Sequence, residues 1–151
     1  MSGMYAAIAG MAVSAYGKMA AGNAKKNALY SSAAMLDQEA GQSVASGIQG
    51  SIEERRRAAY VASNARAATA ASGLATTGTS AIANTGLIEG EGEYRARTAL
   101  YQGEDRANEL NFRASGMRNE GGAAETAGYI GAASTVLSGG TDFYTKYGDA
   151  A

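Results

Sequence analysis

The chain of 151 residues contains no cysteine, histidine, proline or tryptophan. Without Cys or His there is no disulfide, no imidazole base, no thiolate nucleophile and no ordinary structural zinc site. Without proline nothing in the chain deletes a backbone donor or forces a kink, so helices of unusual length are permitted. Large apolar residues are scarce as well. Leu, Ile, Val and Phe together number 19, below the roughly 20 % share from which an ordinary globular core is built. The formal net charge is −1, which is neither the strong charge of a disordered tail nor the basic excess of a nucleic-acid binder.

What the chain has instead is 35 Ala and 21 Gly. Ala is the best helix former, while Gly costs about 1 kcal/mol relative to Ala in a helix interior. That combination predicts helices whose backbones approach closely. From Ala96 a 4-3-4-3 spacing selects Leu100, Gly103, Ala107, Leu110, Ala114, Met117, Gly121, Ala124, Gly128, Gly131 and Thr135. Its mean period of 3.5 is that of a coiled-coil seam. The N-terminal half carries a matching stripe, Tyr5, Ile8, Ala12, Ala15, Met19, Gly22, Leu29, Ala33, Leu36 and Ala40, with Lys26 as its one break. A shorter run joins Ala58, Val61, Ala65 and Ala68. Around residues 41–51 the register shifts and Gly41, Gly47 and Gly50 cluster, which predicts a bend or frayed turn.

Helical character breaks most clearly over residues 72–80. Ser72, Gly73, Gly78, Thr79 and Ser80 carry this central turn, with Gly73 suited to a helix C-cap and Thr79 or Ser80 to the next N-cap. Three segments follow: a long N-terminal helix over 1–71, the turn over 72–80, and a long C-terminal helix over 81–151 with a Gly-rich apolar end. A second soft point, Thr85-Gly86 through Gly92, delays the regular part of that helix to about Glu89. The expected fold is all-α, a long antiparallel helical hairpin with coiled-coil-like Ala/Gly seams. Folding at the midpoint brings residue i near residue 151 − i. Ala burial returns little area against the backbone entropy of ordering, so the fold is expected to be completed by homo-oligomerisation or against other partners.

Chemistry is sparse along this scaffold. Glu89, Glu91 and Glu93 are the densest carboxylates, and no apolar pocket surrounds them to separate their pKa values for acid/base work; they read as a solvated helix start. Gly90 and Gly92 give a Gly-x-Gly, but Arg95 stands where a dinucleotide fingerprint needs its third glycine, and no Gly-Lys-Ser or Gly-Lys-Thr exists. Arg55, Arg56 and Arg57 follow Glu53 and Glu54 and read as a salt-bridged surface, with genomic DNA as a non-specific neighbour at most. No catalytic residue, cofactor, metal or small-molecule substrate is expected. The uncharged ends, residues 1–17 and 126–141, share one tip. Tyr5, Ile8, Val13, Tyr16, Tyr129, Ile130, Val136 and Leu137 are its candidate membrane or partner contacts. Neither segment approaches the ~20 apolar residues of a spanning helix.

Two segments carry a resemblance. Asn64 to Ser80, with Arg66-Ala-Ala, Ala71-Ser-Gly73 and Gly78-Thr-Ser80, and the Gly/Ala/Ser-rich run from Ser115 to Gly140 resemble small internal virion proteins of tailed bacteriophages, in particular the smallest ejection protein of short-tailed phages. The resemblance spans roughly Ala20 to Gly140 and is most distinctive at the turn. It implies a virion protein in the capsid interior near the portal, in contact with other internal proteins and with portal or tail proteins. It further implies expulsion ahead of the genome to help form a conduit across the host envelope membrane. A helical adaptor of the portal or tail that is never ejected is the alternative.

Overall fold

The computed structural model describes the backbone of residues 2–73, 75–76 and 78–147, and the side chains of residues 10–73, 75–76, 78–141 and 144–145. Two helices, α1 (Ser2–Ala71) and α2 (Thr79–Tyr147), account for nearly all of it. They pack as a helical hairpin, and no strand occurs among the described residues.

Helix α1 ends where glycine permits a reversal. Gly73 takes a φ of +74°, a left-handed conformation that a side chain would strain, and its N–H donates to the Ala70 carbonyl at 3.1 Å. The N–H of Ile82 donates to the Gly78 carbonyl at 3.0 Å, so Gly78 supplies the first helical acceptor of α2 and occupies the N-cap position expected for Thr79 or Ser80. Helix α2 therefore starts ten residues before Glu89, and the glycines at 86, 90 and 92 do not delay it. Gly costs about 1 kcal/mol in a helix, which packing along one face can override. For the same reason α1 runs without a frayed turn through Gly41, Gly47 and Gly50.

The chain divides into two compact units: a terminal unit, Met1–Leu36 with Phe112–Ala151, and a loop unit, Asp37–Asn111. The terminal unit packs α1 on α2 at glycine pairs. A Cβ built on Gly22 would lie 2.9 Å from the Ala124 carbonyl oxygen and 3.1 Å from the Gly128 Cα, and Gly139 receives the side chain of Met11. The loop unit repeats the device. A Cβ on Gly103 would lie 2.8 Å from the Ser43 carbonyl oxygen and 2.9 Å from the Gly47 Cα, and Gly92 faces the methyl of Ala58. In both units residue i lies opposite residue 150 − i, one residue from the 151 − i expected, so the pairing is centred on Ala75.

Every α2 seam position from Ala96 to Thr135 is buried or half-buried. In α1 the seam departs from expectation at three places. Met11 rather than Ala12 turns inward, and Ala62 and Thr69 replace Val61 and Ala68, which are exposed. The inward residues there, Ser51, Glu54, Ala58, Ala62, Ala65 and Thr69, follow a 3-4-4-3-4 spacing, closer to the 3.6 of a straight helix than to 3.5.

Glycines that meet nothing behave differently from seam glycines. A Cβ at Gly86 or Gly116 finds no atom within 4 Å. Gly86→Ala and Gly116→Ala are each expected to raise stability by about 0.4–1 kcal/mol by restricting the unfolded chain and favouring helix. Urea unfolding followed by circular dichroism checks this.

Candidate functional site

The seam is made of the smallest side chains, and this decides what is left outside. Among the described residues the buried apolar side chains are those of Ala33, Ala40, Ala62, Ala96, Ala107, Leu110, Ala114 and Ala132, and the largest that is fully buried is that of Ser51. Hydroxyls enter the seam because each finds a backbone carbonyl. Ser51 donates to the Ile48 carbonyl at 2.8 Å, and Thr85 reaches the Ala81 and Ile82 carbonyls at 3.0 Å. Ser43 instead crosses to the Gly103 carbonyl at 3.2 Å. No buried side-chain polar atom among the described residues lacks a partner.

Lys26, expected as the break in the α1 stripe, lies in the seam. Its Nζ donates to Glu125 Oε2 at 2.7 Å and sits 5.8 Å from the Tyr30 ring centroid, and both charged side chains are half-buried. The hydrogen bond with Glu125 raises the Lys26 pKa above its ordinary value. In a seam of near-identical small residues, a seven-residue slip would cost little packing, but it would part this pair. Lys26→Met is therefore expected to loosen register more than stability. Disulfide capture checks it with cysteines at the inward positions 33 and 117, and in a second chain at 33 and 124: only the first pair closes in the parent, and the pair shifted by seven residues closes as well in the variant.

The loop unit carries the charged belt. Arg55 holds Glu93 through two bonds of 2.8 and 3.1 Å, Arg66 holds Glu89 at 2.7 Å, and Arg106 reaches Glu39 at 3.3 Å, each across the two helices. Within helices, Arg57 pairs with Glu54, Arg95 with Glu91 and Arg97 with Glu93. The three glutamates expected to mark a solvated helix start are thus each engaged by arginine, inside α2 rather than at its first turn, which holds no acidic residue. No group of acidic residues suited to a metal occurs among the described residues.

Hydrogen bonds from Arg55 and then Arg97 hold the Glu93 carboxyl down at about 2. The folded value lies below the unfolded value of about 4.3, so the contribution is complete above that pH and is lost as pH falls toward 2. Glu93→Gln is expected to flatten the decline of the thermal midpoint between pH 5 and pH 2, measured side by side with the parent.

The large apolar side chains that the seam omits point outward. Val13, Tyr16, Ile130, Val136, Leu137 and Tyr144 are exposed, and Tyr129 is nearly half so. The side chains of Tyr5 and Ile8, placed with them by the sequence, lie outside the described residues. Phe112 (79 % exposed), Tyr94, Tyr101, Leu87 and Tyr60 add further outward apolar surface. The sequence stripes did not show this division, because a stripe search finds the seam and is silent about its opposite face. The signal was present in Tyr129, Val136 and their following residues Ile130 and Leu137, spaced by seven on the side of α2 away from Gly128, Gly131 and Thr135. Among the described residues no helix is long and apolar enough to cross a membrane. Comparison with protein-family models, curated proteins and solved structures finds no match to this chain.

Proposed function

We propose that this protein is a helical structural subunit of a bacteriophage virion, held in the capsid interior near the portal and expelled to help form a conduit for genome delivery across the host envelope. The observation that carries the reading is the inverted distribution of apolar side chains. Ala and Gly fill the seam within the chain, while Tyr129, Ile130, Val136, Leu137 and Phe112 are left outside. Such a hairpin leaves its larger apolar surface for other helices, the property of a subunit rather than of an enzyme domain. The partners in this reading are further copies of the chain together with other internal, portal and tail proteins. The resemblance of the 64–80 turn and the 115–140 run to small ejection proteins of short-tailed phages supplies the virion setting. With no helix among the described residues long and apolar enough to cross a membrane, the reading assigns passage across the envelope to the assembly.

Mass spectrometry of intact virions and of virions emptied of DNA tests it. The expected result is the chain present in the first and lost from the second. Retention in emptied particles assigns it to a non-ejected portal or tail adaptor, and absence from intact particles overturns the virion reading.

A further inference from the structure

In the terminal unit the outward faces of the two helices differ in kind and sit at the same level. At 3.6 residues per turn, Tyr129, Ile130, Val136, Leu137 and Tyr144 lie within roughly 60° of Ala133 on the side of α2 opposite its seam. Their side chains are 47 %, 65 %, 56 %, 72 % and 77 % exposed. On α1 the side opposite the seam is centred on Gly17 and carries Gly10, Val13, Ala20 and Ala24; only Val13, 72 % exposed, stands out from it, and Cβ atoms at Gly10 and Gly17 would meet nothing within 4 Å. Gly17 and Ala133 are opposite one another in the 150 − i register, so a bulky face and a shallow face look away from the same unit at one height.

We infer that the occupant of the α2 face is the α1 face of a second copy of this chain, and that each copy uses both faces. The inference rests on the assembly part of the proposed function and not on its virion setting. Three observations select a second copy. First, residues 126–141 contain no charged residue and residues 10–17 contain none either, while Lys18 just beyond them is drawn to Thr135 of its own chain at 2.7 Å, so the contact at this level buries no charged side chain. Second, ridges of large side chains need shallow neighbours to pack densely, and the α1 face supplies them. Third, the chain exposes 10,409 Å², whereas a folded monomer of 15.2 kDa exposes about 7,100 Å². The surplus accommodates two interfaces at about 800 Å² per side. Because the faces differ, the contact is head-to-tail. Because they share one level, successive copies need no shift along the helices, and a repeat of this kind forms a ring where the rotation between copies closes.

The chain has no cysteine, so engineered thiols report contacts cleanly. Full-length Ala133→Cys and Gly17→Cys chains, each verified as helical by circular dichroism, are mixed and mildly oxidised. The expected product is the mixed disulfide, with neither variant cross-linking to itself. In parallel, sedimentation of the Ile130→Arg/Leu137→Arg chain is expected to show self-association weakened about tenfold or more at unchanged helicity. Tyr60→Arg, on the loop unit, sediments as the parent does. Ala133→Cys homodimers without the mixed product overturn the head-to-tail contact. A parent chain that stays monomeric, or one that floats with phosphatidylcholine vesicles through Ile130 and Leu137 while remaining monomeric, overturns the second copy as occupant. Absence of the chain from virions leaves each of these results standing.

Discussion

Gly103→Val is expected to destabilise the chain by about 3 kcal/mol, lowering the thermal midpoint by roughly 6–12 °C for a chain of this size. The cause is backbone against backbone. The first added carbon alone would stand 2.8 Å from the Ser43 carbonyl oxygen and 2.9 Å from the Gly47 Cα, and neither atom belongs to a side chain that can rotate aside. Valine adds two more methyl groups and its own rotamer restriction in a helix. Gly103→Ala has a smaller effect because the clash is partly offset by about 1 kcal/mol of helix propensity. The paired glycine behaves alike: a Cβ on Gly47 would lie 3.0 Å from the Ala99 carbonyl oxygen. Gly116→Ala serves as the internal comparison, since it changes the same residue type with nothing to strike. Loss of stability at 103 and gain at 116 together identify the seam; equal effects would place the helices farther apart than described.

Leu110→Ala is expected to cost about 2–5 kcal/mol. Among the described residues Leu110, 7 % exposed, is the one buried apolar residue larger than Ala, and Ala40 lies opposite it in the register, itself 3 % exposed. Ala cannot extend to fill the space a leucine vacates, and Ala107 and Ala114, the next seam positions to either side, are equally short. Urea unfolding measures the change in midpoint, with an unchanged denaturant dependence showing that folding stays cooperative. Phe112→Ala, two residues away but 79 % exposed, should alter unfolding of the isolated chain far less despite removing a larger side chain.

The sequence made the α2 seam legible because its inward residues keep a strict 3.5 period over eleven turns and differ visibly from the charged residues between them. The α1 seam was less legible for two physical reasons. Its inward spacing changes beyond Gly47, so extending the heptad through Ala58 put Val61 and Ala68 inside when Ala62 and Thr69 are there. Its polar members, Lys26 and Glu54, are invisible to an apolar pattern, since what admits Lys26 is a carboxylate on the other helix, ninety-nine residues away. The glycines of 86–92 misled in a related way. Composition marks them as helix breakers, but Gly92 is where Ala58 docks, while Gly86 and Gly90 are tolerated on the outside of a helix held by its other face. Tyr129, Ile130, Val136 and Leu137 could be listed from the sequence as apolar and close together. That they stand opposite the seam, and at the height of the shallow α1 face, required the register.

The central claim is that this chain spends its small residues on its own seam and completes its apolar packing with other copies. Thermal unfolding followed by circular dichroism over a hundredfold range of protein concentration tests it directly. If assembly contributes to stability, the midpoint climbs steadily with concentration, as mass action requires. A midpoint independent of concentration, with a monomeric mass at the highest concentration, would contradict the claim.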